Sequence, residues 1–408
     1  MKILFIPEIY YLSYESFLSV IRATRADGFD SYLLLKYPFH KAWEENEYSE
    51  QRLEVDNCPY KKIVLQDNCE HKNIYFKIIN LLIILFNSFK IYRMFLREKP
   101  DAIVINSDLG GIYIRIAQEL CLVLKIKIFI IHNIRNVETK TRKRKGWNKW
   151  FRFLFCDDYT IGAYTGSSII FSASNSMRDE IVLQGIDASR IFVVGDPRTK
   201  ALSLNRDNRK KNIDSTIILY CTEVIQESYG NIYTKMLNCW LLKCFTEIAT
   251  IHKIKVIVKL HPREKEHLSI YSYYYDLFGN NSELFDIVGD HFDNVGIISR
   301  SDIVLGHYTD MLFQAAVLKK PIIAMNYLAS RTHLIFSESI DNANEIVSHN
   351  SLETKNKIIR LIVERKYREK MVAIAIRLSS EKNGDHSNND EEVATMIARL
   401  IRKELSKK

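Results

Sequence analysis

What most constrains this chain is a rhythm. Short runs rich in Ile, Val and Phe alternate with longer segments of helical period, from the first residues to about position 325. Short β-branched runs suit strands of a parallel sheet, and longer amphipathic segments suit the helices that cross between them. In the first half the pattern predicts strands at 2–6, 31–35, 62–65, 102–106, 126–131, 168–171 and 191–194. Helices are predicted near 13–26, 74–96, 112–124, 147–159 and 176–184. In the second half strands are predicted at 216–220, 255–259, 295–298, 302–305 and 321–325, with helices near 232–251, 311–318, 353–379 and 390–404. Such alternation predicts right-handed βαβ units and parallel sheets covered by helices on both faces.

A chain of 408 residues is too long for one ordinary core. The polar stretch Asn205–Asn212 has no apolar period and reads as a linker. The expectation is therefore an α/β protein of two tandem Rossmann-like domains with an interdomain cleft. Residues 1–200 would form the acceptor-binding domain and 214–385 the donor-binding domain. Residues 386–408 would form a last helix packing back on the first domain. In such sheets ligands bind outside the carboxyl ends of the strands, so strand ends are where chemistry is sought.

Composition narrows the classes. At 47% hydrophobic and 26% charged the chain is neither disordered nor collagen-like, and 14 Gly with 7 Pro disfavour a loop-rich all-β protein. A net charge of +9 is compatible with anionic membranes, nucleic acid or phosphorylated substrates. Seven cysteines without a C-x-x-C pattern suggest reduced thiols in a cytosolic protein. The apolar start at Ile3–Ile6 is too short for a signal segment. The run Leu81–Phe86 is followed by Asn87 and Lys90, and reads as too short to span a membrane. A soluble or peripheral protein is expected.

Three strand ends in the second half carry polar groups. Thr216–Tyr220 runs into Cys221-Thr222-Glu223. Lys255–Lys259 runs into His261-Pro262, where the proline ends the ladder and biases His261 to an extended conformation. Asp302–Leu305 runs into Gly306-His307-Tyr308-Thr309, where Gly306 allows a close turn and Thr309 stands at the N-cap of a helix. The first turn of that helix offers free N–H groups and a positive dipole end to an anion. For each stretch an ordinary structural role competes with the functional one.

Together these stretches resemble the second half of inverting GT-B glycosyltransferases that build bacterial surface polymers. The resemblance is to sialyl-, polysialyl- and Kdo-transferases and to CDP-glycerol glycerophosphotransferases. It rests on the Thr222 loop, His261-Pro262, and the Asp302-led strand with its Thr309 helix start and following Lys-Pro strand. It covers residues 190–330, with Asn383–Ser387 as a possible tail segment. The resemblance implies that His261 and Thr309 hold the donor phosphate, that Thr222 lines the cleft near it, and that Pro262, Gly306, His307 and Glu223 belong to the same donor-binding set. Val193–Arg198 is similar to the segment joining the two halves of such enzymes, with Gly195 and Pro197 at the hinge. Two positions depart from the pattern. Asp310 replaces a small hydroxyl residue, and Gln314 replaces a Glu that binds ribose, which tilts the expected donor toward a CMP-sugar.

The first half would then bind the acceptor and supply the base that an inverting transfer needs. Asp108, His132 and Glu8 follow three predicted strands. Asp108 ranks first, because Gly110-Gly111 beside it allows close approach to the backbone. From Arg135 to Arg152 the chain holds eight Lys or Arg against one acidic residue, a local +7. Arg142, Lys143, Arg144 and Lys145, with Trp147 and Trp150, suit an anionic membrane surface or an anionic acceptor. No nucleic-acid recognition motif accompanies them.

The expected activity is inverting glycosyl transfer from a nucleotide-activated sugar donor to a glycan or lipid-linked acceptor. It would need no metal and no cofactor, at the inner face of the plasma membrane. A glycerophosphotransferase or a nucleotide-sugar epimerase of the same fold is one alternative. A non-catalytic nucleotide-sugar-binding or scaffold protein is the other.

Overall fold

The computed structural model describes residues 1–7, 10–37, 53–54, 57–65, 74–105, 112–132, 168–183, 186–197, 215–222, 231–261, 268–289, 294–307, 309–327, 343–383 and 391–407. The chain forms two compact units. One is Met1–Arg198 with Lys382–Lys408, and the other is Thr199–Glu381.

In the first unit, strands β1 (Lys2–Ile6), β2 (Asp30–Tyr37), β3 (Tyr60–Val64), β4 (Ala102–Ile105), β5 (Lys127–His132), β6 (Ile169–Ser172) and β7 (Ile191–Val193) alternate with helices. The helices are α1 (Tyr10–Ala26), α2 (Ile74–Glu98), α3 (Ile112–Leu124) and α4 (Asn175–Leu183). The sheet order is β3-β2-β1-β4-β5-β6-β7, parallel throughout. The apolar runs read as they do because both sheet faces are covered. Leu4 and Ile6 of β1 enter one core, while Ile3 and Phe5 enter the other. Ile103 and Ile105 of β4 divide from Ala102 and Val104 in the same way.

The second unit repeats the plan. Its strands are β8 (Thr216–Cys221), β9 (Ile254–Lys259), β10 (Phe285–Val288), β11 (Ile303–Gly306), β12 (Ile322–Met325) and β13 (Val347–Ser348). Its helices are α5 (Asn231–Ala249), α6 (Leu268–Phe278), α7 (Asn294–Arg300), α8 (Asp310–Val317), α9 (Ala343–Ile346), α10 (Ser351–Val363) and α11 (Arg365–Asn383). The order β10-β9-β8-β11-β12-β13 is again fully parallel. Asp302 ties the centre together, its Oδ2 accepting from the Ile217 N–H at 2.9 Å. The Asp that leads β11 thus has a structural task.

The last helix, α12 (Glu391–Leu405), belongs to the first unit. Val393, Ala394, Ile397, Ile401 and Leu405 join Phe17, Val20 and Ile21 of α1 in one core. Each large side chain buried there contributes about 1.5–3 kcal/mol. Arg402 Nε donates to Asp27 Oδ2 at 2.6 Å, anchoring the same contact. Gly195 follows β7 at φ +98°, a left-handed conformation, and a Cβ there would lie 3.1 Å from Val393 Cγ2. Both the turn and the seat of α12 therefore call for glycine.

Three expectations are corrected. Residues 295–298 are helical rather than a strand. They lie in α7, where Val295 and Ile298, one turn apart, are both buried. A four-residue apolar run carries no period that separates strand from helix. The strand of that region is β10, ten residues earlier. The helix expected over 353–379 is two helices, α10 and α11. They are broken at Glu364, which is extended at φ −103° and ψ 96°. Neither Gly nor Pro marks the break; Arg360 holds Glu364 through Nε–Oε1 and Nη2–Oε2 contacts of 3.0 and 3.1 Å. Finally, the apolar run at 81–86 is part of a longer one. Ile78–Glu98, 21 residues, is long and apolar enough by composition to cross a membrane.

Candidate functional site at the carboxyl edge of the second sheet

The three polar stretches of the second half emerge from three neighbouring strands, β9, β8 and β11. Chain direction is the cause: parallel strands all end at one edge, and the order reverses between β8 and β11. Thr222 follows β8 and is buried. Its N–H donates to the Lys259 carbonyl at 2.9 Å, and its Oγ1 accepts from the His261 N–H at 2.9 Å. The threonine hydroxyl thus takes over the ladder where β9 ends. His261 keeps an intermediate exposure at that edge.

Gly306 ends β11 against β8. A Cβ on it would lie 2.8 Å from Thr309 Cγ2, 3.1 Å from the Cys221 carbonyl oxygen and 3.3 Å from Cys221 Cβ. The close turn read from sequence is therefore a three-way steric requirement. Gly306→Ala is expected to destabilise the second unit by about 1–3 kcal/mol, the usual cost of overpacking. Urea unfolding of the variant checks this. An unchanged midpoint would show that the contact yields freely.

Thr309 caps α8 in extended conformation, φ −134° and ψ 139°, and its Oγ1 accepts from the Met311 N–H at 3.3 Å. The Met311 N–H is thereby engaged, and the Leu312 N–H donates to the Thr309 carbonyl at 3.2 Å, so what this turn keeps for an anion is chiefly the positive end of its dipole. His307 lies between Gly306 and the cap. Burial pushes its imidazole down to about 4, against a smaller upward effect of a hydrogen bond to the Met325 backbone. The ring is neutral at pH 7. Its Nε2 is buried and, among the described residues, has no partner. With the other nitrogen donating to the Met325 carbonyl, Nε2 is an acceptor. It suits a hydroxyl, not a phosphate oxygen. Gln314 Oε1, one turn into α8, is a second buried acceptor with no partner among the described residues.

Sequence reasoning passed over Lys259. This last residue of β9 is buried, and its Nζ donates to the Leu260 carbonyl at 3.1 Å. It places a positive charge beside the strand ends bearing Thr222 and His261. The available signal was a lysine closing an otherwise apolar strand. Cys221 is no nucleophile, since burial pushes its thiol up to about 12 despite Lys259 nearby.

In the first unit three further candidates fall, along the sequence, at or just after strand ends. Glu8, Asp108 and His132 follow or close β1, β4 and β5, which are consecutive in the sheet. Ile6 pairs with Ile105, and Ile105 with Ile130. His132 ends β5 opposite Ser172 of β6. Glu8 and Asp108 lie outside the described residues, as do Pro262, Glu223, the linker 205–212, and the basic segment with Arg142, Lys143, Arg144, Lys145, Trp147 and Trp150. Pro197 is described, and its carbonyl accepts from Ser19 Oγ at 3.2 Å. Among the described residues no group of three or more His, Cys, Asp or Glu could hold a metal ion.

No protein-family model matches the chain. A curated relative, the UDP-N-acetylglucosamine 2-epimerase of Methanocaldococcus jannaschii, is 22% identical over 323 residues, 76% of this chain and 78% of the relative. Among solved structures, the UDP-GlcNAc 2-epimerase of Neisseria meningitidis bound to UDP-GlcNAc superposes with a TM-score of 0.65 at 15% identity. That match covers 99% of this chain and 100% of the other. The Methanocaldococcus jannaschii enzyme gives 0.65 at 18% identity, over the same shares. A glycosyltransferase from Rickettsia africae gives 0.57 at 14% identity, covering 100% of this chain and 98% of the other. The chain therefore carries the GT-B fold of two parallel-sheet α/β domains that these nucleotide-sugar enzymes share.

Proposed function

We propose that the chain is a nucleotide-sugar epimerase acting on a UDP-linked N-acetylhexosamine, the reading weighed above as an alternative to glycosyl transfer. The observation that carries it is similarity to UDP-GlcNAc 2-epimerases along most of the chain, in sequence as well as in fold. Complexes of such enzymes with UDP-GlcNAc and UDP support uridine in place of the CMP-sugar expected from sequence.

The chemistry uses the strand-end groups described above. C2 of a pyranose has no neighbouring carbonyl to acidify its proton. That proton can leave when the C1–O bond to the diphosphate breaks, with the electron pair of C1–O going to UDP and a double bond forming between C1 and C2. Return of a proton to the face of C2 opposite the one it left, with UDP re-forming its bond to C1, completes epimerisation. The diphosphate gathers charge in this step. Lys259, His261 and the first turn of α8 supply the positive potential it needs. His307 Nε2 and Gln314 Oε1 accept from sugar or ribose hydroxyls. A base is required, and Asp108, His132 and Glu8 are the candidates.

The deciding experiment incubates the protein with UDP-GlcNAc in deuterium oxide without acceptor. Epimerisation predicts a new C2 epimer and deuterium at C2. UDP release that depends on an added glycan or lipid-linked acceptor would favour transfer, which the Rickettsia neighbour keeps as a second reading. No turnover with retained UDP binding would favour the non-catalytic reading. Peripheral attachment at the cytoplasmic face through Arg142–Lys145 is a proposal tied to the second reading. His261→Ala is expected to lower kcat/KM at least about tenfold, since a charge-assisted contact to phosphate contributes about 1.5–3 kcal/mol. Unchanged kinetics in the folded variant would remove His261 from the site.

A further inference from the structure

Helix α2 buries one face and leaves the other bare. Ile84, Ile91, Met94 and Phe95 lie in the core beneath it, with Asn87 buried among them. Ile78, Leu82, Leu85, Phe89, Tyr92 and Leu96 are 37% to 60% exposed. With exposed Phe86 they occupy an arc of about 120° along roughly 27 Å of helix. Exposed Val64 of the edge strand β3 continues this surface, because Lys90 Nζ donates to the Val64 carbonyl at 2.9 Å. A contiguous apolar surface of this extent marks an interaction site.

Charge identifies the occupant. Ile78–Arg97 holds Lys90, Arg93 and Arg97 and no acidic residue. Lys90 Nζ stands 4.4 Å from the centre of the Phe86 ring, and the Arg93 guanidinium 5.9 Å from that of Phe89. Cations laid over aromatic rings at the edge of an apolar stripe are how side chains sit at a headgroup boundary. Glu98, the carboxylate that closes α2, is buried and engaged by Lys61, Lys2 and Arg97, which hold it down to about 2. A second copy of α2 would bring Lys90, Arg93 and Arg97 again, and among the described residues of this helix there is no exposed acid to answer them. An anionic bilayer answers them directly.

We infer that α2 is an interfacial helix that seats the first unit on an anionic lipid surface, lying in the headgroup plane. It does not span the bilayer, since spanning would strip Ile84, Ile91, Met94 and Phe95 from the core of the unit. The inference does not rest on the nucleotide-sugar reading and uses no residue of the basic segment 135–152.

The test is co-sedimentation of the full chain with vesicles of phosphatidylcholine alone or with about one-third phosphatidylglycerol. Binding to the mixed vesicles is expected, with much less to the neutral ones. Leu82→Gln/Leu85→Gln/Phe89→Gln should weaken binding at least about tenfold, as binding scales with buried apolar area. Its melting temperature should hold, because all three side chains are exposed. Lys90→Gln/Arg93→Gln/Arg97→Gln should lose about fivefold per cation and flatten the dependence on salt. Sedimentation equilibrium without lipid counts copies. Absent vesicle binding by the parent would overturn the inference, as would parent-like binding by the apolar variant. A parent dimer that the apolar variant splits, with no lipid binding, would assign the face to a second copy.

Discussion

Asp108→Asn is expected to cut turnover of UDP-GlcNAc by about 10²–10⁴-fold, the contribution typical of a general base, while UDP affinity stays near that of the parent. The argument is positional and electronic. Asp108 follows β4 by three residues, and β4 lies between β1 and β5 at the place where the strand order of the first sheet reverses. Such a reversal opens a crevice at the carboxyl edge, where ligands of doubly wound sheets bind. Asparagine keeps the shape of the side chain and loses its capacity to take a proton. The measurement is kcat beside the Kd for UDP, with wash-in of deuterium at C2 as the specific readout. A base that removes the C2 proton must lower both turnover and wash-in. Turnover near that of the parent would strike Asp108 and pass the role to His132, which closes β5, or Glu8, which follows β1 in sequence. Loss of UDP binding together with turnover would mean that Asp108 acts through the shape of its loop.

The fold was legible because both sheets are parallel and covered on both faces. Every central strand must then be apolar along its whole length, as Ile3–Ile6 and Ala102–Ile105 are, and helices must separate them. Strand ends are equally plain, since the chain turns polar where it leaves the core at Thr222, His261 and Gly306. What sequence could not supply was why these residues are needed. Gly306 reads as a turn, yet its absent Cβ is demanded by Cys221 of another strand. Thr222 reads as a ligand contact, yet its hydroxyl is also the acceptor for the His261 N–H. Such roles depend on partners some 40 to 85 positions away, and no local pattern encodes them.

The misses have a common physical origin. Residues 295–298, Val-Gly-Ile-Ile, form a short apolar run that packing makes helical, while the strand falls on 285–288, Phe-Asp-Ile-Val, where Asp286 interrupts the apolar pattern. The sequence pattern places a helix at 74–96, close to α2 itself, but its apolar run reads as short because Asn87 and Lys90 look like interruptions. In the structure Asn87 is buried and Lys90 reaches the Val64 carbonyl, so neither breaks the apolar run. Lys259 was overlooked because a lysine at a strand end is ordinarily solvated, and its burial comes from tertiary packing.

Stability of the second unit should fall as pH drops from about 6.5 to 4, and His307 should account for about 3 kcal/mol of that fall. Its pKa in the folded chain is lowered from 6.5 to about 4, chiefly by burial. Between these values the unfolded chain binds a proton that the folded chain refuses, so stability rises with pH. The contribution is complete above the unfolded pKa and is lost as pH falls through the folded one. A shift of this size corresponds to about 3 kcal/mol at 1.36 kcal/mol per unit. His307→Gln removes the titrating group and keeps a polar side chain. Urea unfolding of parent and variant at several pH values from 7 to 4 should give diverging curves, the parent losing stability more steeply. Parallel curves would mean that His307 ionises in the folded chain about as easily as in water. A UDP-sugar whose hydroxyl donates to Nε2 should depress the pKa further, because that bond exists only with the neutral ring. The steep limb of the parent curve would then move to lower pH in the presence of UDP-GlcNAc, and the His307→Gln curve would not follow it. This separates a ring that merely fills the core from one that reads a hydroxyl of the substrate.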